Sequence, residues 1–87
     1  MRADTLLVFP CDFPLKVMGR NNDDFRSIVI GIIKKHAGDI DLNRIEERPS
    51  RDGTYLGITI TVTASSKAQL DAIYMELTAC ERVLVSL

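Results

Sequence analysis

Three observations in this 87-residue sequence predict an α+β fold, with a four-stranded antiparallel sheet carrying two helices on one face. Phe25, Ile28, Val29, Ile32 and Ile33 recur at helical spacing. Asp52-Gly53 stands between two extended runs, the signature of a hairpin. Ser66 and Gln69 then form a capping-box pattern that opens a second apolar stripe.

The elements follow in order. Residues 1–12 read as a leader, with apolar Leu6 to Phe9 closed by Pro10, ahead of a single domain over 13–87. From Phe13 the side chains alternate, with Phe13, Leu15 and Val17 on one face and Lys16 and Met18 on the other, which predicts a half-buried strand. Gly19 to Asn22 reads as a turn, and Asn22 or Asp23 can cap the helix that follows. That helix spans about Asp24 to Ala37. Asp23 and Asp24 at its start and Lys34, Lys35 and His36 near its end complement its dipole, and Gly38 supplies the stop.

A strand over Leu42–Ser50 and another over Tyr55–Ala64 flank the Asp52-Gly53 turn. Centring the loop there pairs Ile45 with Ile60 and Pro49 with Leu56, so Leu56, Ile58, Ile60 and Val62 point inward. Tyr55, Gly57, Thr59, Thr61 and Thr63 then point outward. Glu47 falls inward beside Ile58, a conflict for a carboxylate. A bulge near Pro49 or a place at the core's margin would remove it. Leu70, Ile73, Tyr74 and Leu77 form the stripe of the second helix, ending near Ala79, and Arg82 to Leu87 reads as the last strand. The economical arrangement of βαββαβ is the ferredoxin-like sandwich, which leaves one sheet face open.

Composition narrows the function classes. Eleven basic residues against twelve acidic ones give a net charge of −1, which argues against a nucleic-acid or membrane-surface partner. The apolar stretches are too short to span a bilayer, and the N-terminal run lacks the features of a signal peptide. A cytoplasmic location is the default expectation. Cys11 and Cys80 form no CxxC pair and read as reduced, packed thiols.

Catalytic chemistry is hard to assemble from this chain. His36 is the only histidine, and no ligand set for a metal surrounds it in sequence, so neither metal nor cofactor is expected. Asp23-Asp24 and Glu46-Glu47 are adjacent pairs whose side chains diverge, unlike an acid/base couple. No catalytic constellation emerges, and the reading is non-enzymatic. Gly19 stands alone, without a phosphate-binding glycine motif, and reads as a turn residue. The open face around Tyr55 lacks the aromatic platform that RNA-binding sheets of this topology use.

Edges and faces offer a surface instead. Arg44, Glu46, Glu47 and Arg48 guard the second strand, whereas residues 83–87 carry no charged side chain. Thr59 and Thr61 on the open face and Leu84 on the last strand are therefore candidate interaction residues, for a protein partner or for a homodimer.

Phe9-Pro10, Lys16-Val17-Met18-Gly19, Pro49-Ser50 leading through Gly53 to Tyr55, the Thr59-to-Ser65 strand end and Tyr74-x-Glu76-Leu77 together resemble the YbeD-like family of small bacterial proteins of unknown function. The resemblance covers nearly the whole chain. It implies a ferredoxin-like fold related to the ACT regulatory domains, which bind small ligands after the first strand and at dimer interfaces. Carried over, it directs attention to Gly19, Arg20 and Asn21 as ligand-binding residues, although the Pro-Gly of ACT domains is missing there. It also implies an association with lipoate-metabolism genes. Two functions follow as expectations: a regulatory module binding a small metabolite, or an adaptor docking a protein on its open sheet or last strand.

Overall fold

In the computed structural model, which describes residues 8–87, the longest ladder joins β1 (Cys11–Arg20) to β3 (Tyr55–Ala64). It runs antiparallel without a break from Cys11 opposite Ala64 to Arg20 opposite Tyr55. β2 (Ile45–Pro49) pairs with the far side of β3, and β4 (Val83–Ser86) with the far side of β1, giving the order β2-β3-β1-β4. With α1 (Phe25–Ala37) and α2 (Lys67–Ala79), the chain has the ferredoxin-like βαββαβ order.

The alternation along the central strands decides the core. Leu15, Val17, Leu56, Ile58, Ile60, Val62 and Ala64 are buried beneath Phe25, Val29 and Ile33 of α1 and Leu70, Ile73 and Leu77 of α2. Burying each large side chain contributes about 1.5–3 kcal/mol. Ile28, Ile32 and Tyr74, which share the helical stripes, lie half-buried at the flanks. No described helix is long and apolar enough to cross a membrane.

Several boundaries differ from the sequence reading. Residues 1–7 of the leader lie outside the described residues, the Phe9–Pro10 peptide is cis, and Cys11 and Asp12 already belong to β1. β1 also continues through Gly19 and Arg20, which the sequence placed in a turn. The cap of α1 is Asp24 rather than Asn22 or Asp23, and its side chain makes no capping bond. Arg82 claims that carboxylate instead, with Nη1 and Nη2 donating to it at 2.8 and 2.7 Å. Residues 42–44 form a 3-10 turn before β2, where Asp41 accepts from the Asn43 N–H.

The hairpin has the expected register, with Ile45 opposite Ile60 and Pro49 opposite Leu56. Its turn differs. Gly53 has a positive φ of 79°, whereas no described non-glycine residue does, so Asp52 is not in the left-handed region. The Asp52 carboxylate accepts from the Ser50 hydroxyl and the Thr54 N–H, and Gly53 N–H donates to the Ser50 carbonyl. Side-chain closure by Asp52 thus replaces the two-residue turn. The ladder has no bulge near Pro49, and Glu47 sits at the exposed margin, paired with Arg26 of α1.

Ser66 Oγ accepts from the Gln69 N–H at 3.1 Å, as a helix cap should. Gln69 Oε1 accepts from the Ser65 N–H, one residue ahead of the usual capping-box partner, and Gln69 Nε2 donates to the His36 carbonyl oxygen. One side chain therefore joins the start of α2 to the end of α1.

Gly19 and Gly31 should respond oppositely to alanine. A Cβ at Gly19 would collide with the Arg82 carbonyl oxygen and the Phe25 ring, whereas Gly31 is exposed with open space around it. In urea unfolding, Gly19→Ala is expected to lose about 1–3 kcal/mol, and Gly31→Ala to gain up to about 1 kcal/mol. Equal effects at the two positions would contradict this packing.

Candidate functional site

Two regions compete as the functional site: the β1–α1 junction and the uncovered face of the sheet. At the junction, Gly19 is buried in β1 under the Phe25 ring rather than poised in a turn. Close approach, not a positive φ, explains the glycine. Arg20 is exposed and lies over the Tyr55 ring, 6.0 Å from its centroid. Asn21 is committed to the hairpin tip, its backbone N–H donating to the Thr54 carbonyl and its amide to the Gly53 carbonyl. The N–H groups of Asn22 and Phe25 donate to Arg20 and Asn22 carbonyls. Exposed Asp23 and Asp24 add carboxylates where an anionic ligand would approach. The three residues are thus neighbours, but two of them serve the fold.

The uncovered face is built by strand register. Arg48, Gly57, Met18 and Val85 form one row across all four strands, and Glu46, Thr59, Lys16 and Leu87 form the next. Together they line a shallow trough of about 450 Å³. Met18, Val85 and Leu87 are 45%, 46% and 68% exposed, an apolar strip along the β1–β4 side. Gly57 deepens the floor, because a Cβ there would meet only the Arg48 carbonyl oxygen at 3.6 Å.

Of the interaction residues read from sequence, Thr59 lines this trough. Thr61 instead faces a smaller hollow of about 120 Å³ with Asp39, Asp41 and Arg44. Leu84 is exposed at the irregularity where β1 shifts partners from Val85 to Val83, and it does not line the trough. Met18, Arg48, Gly57, Val85 and Leu87 were not singled out by sequence reasoning. The outward alternation of Lys16 and Met18 was the available signal for β1. The hairpin register already placed Arg48 beside outward Gly57, and lateral strand order was needed to bring them together with Met18, Val85 and Leu87.

His36 belongs to a latch between the helices. Its Nε2 lies 2.7 Å from Glu76 Oε1, and Lys35 Nζ donates to Glu76 Oε2 at 2.6 Å. The Lys35 hydrogen bond, followed by that of His36, holds the Glu76 carboxyl below the usual glutamate range. Among the described residues no group of three or more His, Cys, Asp or Glu could hold a metal ion. Cys11 and Cys80 are half-buried free thiols.

Comparison with known proteins supplies the family. The model of "Protein of unknown function (DUF493)" matches residues 4–87. This chain belongs to the DUF493 family. A UPF0250 protein of Paraburkholderia phytofirmans is 42% identical over 84 residues, covering 97% of this chain and 94% of the relative. One from Neisseria meningitidis serogroup A is 43% identical over 83 residues, covering 95% and 91%. The resemblance to small bacterial proteins of unknown function is thereby shown.

Solved structures bear out the fold. Protein HP0495 from H. pylori superposes with a TM-score of 0.76 at 14% identity, covering 100% of the DUF493 chain and 94% of that protein. The ACT domain from the GTP pyrophosphokinase of Chlorobium tepidum does so with a TM-score of 0.67 at 14% identity, covering 88% and 97%. The DUF493 chain therefore has an ACT-like fold, and at that identity the likeness concerns fold alone. Nothing in the family's description indicates catalysis.

A carboxyl whose folded pKa lies below its unfolded value stabilises the fold above the unfolded value, about 4.3 for glutamate, and stops doing so as pH falls through the folded value. The Glu76 latch is thus present at neutral pH and lost in acid. Between neutral pH and the acid side of that range, the urea midpoint should fall less for Glu76→Gln than for the wild type. Parallel curves would mean the latch contributes nothing.

Proposed function

We propose that this DUF493 chain is a non-catalytic module that docks another protein on the uncovered face of its sheet. The observation carrying this reading is the trough, whose exposed Met18, Val85 and Leu87 lie beside unpaired charges on a face that neither helix covers. Burying the exposed part of each apolar side chain on a partner is worth about 1 kcal/mol. The trough is about half open to solvent, whereas ligand pockets bury most of a small molecule's surface.

The ACT-like alternative is capture of a metabolite, such as an amino acid or a lipoate-related acid, at Gly19, Arg20 and Asn21. Arg20 favours it, as a cation at the junction without a carboxylate partner. Internal use of Asn21 and burial of Gly19 favour docking on the sheet.

A photocrosslinking amino acid in place of Val85 distinguishes the readings in a bacterial lysate. One reproducible protein adduct is expected, lost on Gly57→Thr, which fills the trough and extends the outward threonine row. The same crosslinker in place of Met75, exposed on α2, should not form that adduct. Adducts solely between copies of the chain would replace docking by self-association. A thermal shift with amino acids or lipoate-related acids, abolished by Arg20→Ala, would establish the metabolite reading instead. A ligand at 100 times its Kd would raise stability by about 2.7 kcal/mol.

A further inference from the structure

We infer that the uncovered face is shaped for an acidic amphipathic helix of a partner protein, lying along β1 with an apolar side chain over Met18 and Gly57 and carboxylates one turn away on either side. This rests on the docking reading above and assigns the chemistry of the partner.

Charge pairing is uneven over the molecule. Arg26, Lys35, Arg44, Lys67 and Arg82 each meet a carboxylate, from Glu47, Glu76, Asp12, Asp71 and Asp24. Lys16, Arg20 and Arg48 do not, and all three lie on the uncovered face. Lys34 and Arg51 are the other described cations without such a partner, and both lie away from the trough. Glu46 is the acidic residue whose outward row enters the trough without an ion pair. A chain with a net charge of −1 thus presents a locally positive face. Such a patch attracts and orients an acidic partner.

Spacing turns charge into geometry. Lys16, Met18 and Arg20 point outward along β1, so consecutive positions are about 6.6 Å apart. Successive turns of a helix place residues i−4, i and i+4 about 6 Å apart on one side. A helix parallel to β1 with Glu or Asp at i−4 and i+4 and an apolar residue at i therefore meets Lys16, Met18 and Arg20 in register. The floor at Gly57 receives the apolar residue, Arg48 stands across it, and Val85 and Leu87 extend the apolar contact.

Other occupants fit less well. Tyr55, the aromatic of the outward β3 row, already lies beneath Arg20, leaving no free platform for stacking bases. β4 is four residues long and its register with β1 is irregular, which makes it a poor template for an added strand.

The test follows backbone amide shifts of the full chain by NMR against three probes. The first is a synthetic helical peptide with Leu at i and Glu at i−4 and i+4, the second has Lys in place of both Glu, and the third is an oligouridylate. The glutamate peptide is expected to shift Lys16, Met18, Gly57 and Val85. Its affinity should fall about tenfold on raising salt from about 0.1 to about 0.5 M, and comparably in Arg48→Glu or Lys16→Glu variants with otherwise native spectra. Gly57→Thr should remove the shifts. Equal binding of the lysine peptide at the same residues would overturn the acidic assignment and leave the docking face standing. Stronger binding of the oligouridylate there would reassign the face to nucleic acid. No shift at about 1 mM glutamate peptide, or shifts elsewhere, would overturn the inference, since that concentration detects affinities worth only about 4 kcal/mol. The Val85 crosslink would then decide the docking reading separately.

Discussion

The unbroken pairing of β1 with β3 is the constraint on which the rest of this molecule depends. Each residue of Cys11–Arg20 has a fixed partner in Tyr55–Ala64, so each side chain of the two central strands is assigned to a face at once. A one-residue slip of β1 against β3 would carry Leu15 and Val17 to solvent and Lys16 into the core. The helices then have one apolar surface to cover, and the opposite surface is left for other uses.

Contacts away from that ladder mainly position the layer above it. Gly19 permits the Phe25 ring to lie against β1, and Arg82 ties the start of α1 to the approach to β4. Arg26 draws the β2 margin toward α1, while Gln69, Glu76, Lys35 and His36 join the two helices. These groups are exposed or half-exposed, so each ion pair contributes little alone. Their common effect is geometric, since they fix where each helix begins, ends and faces. Of the described cations outside these pairs, Lys16, Arg20 and Arg48 lie on the opposite side of the sheet, which gives the uncovered face its sign.

Much of the architecture could be read before folding was considered. The stripes of α1 and α2, the Gly38 stop, the Ser66 cap and the pairing of Ile45 with Ile60 rest on local periodicity or neighbouring residues. The candidate site was less accessible. Gly19 looks like a turn glycine until the Phe25 ring is placed on it, and Asn21 looks available until the hairpin tip reaches it from residues 53 and 54. Glu47 looks misplaced inside until β2 is known to be an edge strand beside Arg26.

The sequence by itself determined the order of elements, the inward and outward residues of the central strands and the membership of the helical stripes. Helical and strand periods are written in residues a few positions apart, and burial enforces them. Tertiary structure alone decided that Met18 and Val85 would join Arg48 and Gly57 in one row, and that Leu87 would pair with Lys16. These residues come from four strands and are far apart in the chain. Their adjacency depends on the lateral order β2-β3-β1-β4, which arises when the hairpin and the two helical connections pack as one layer on the sheet.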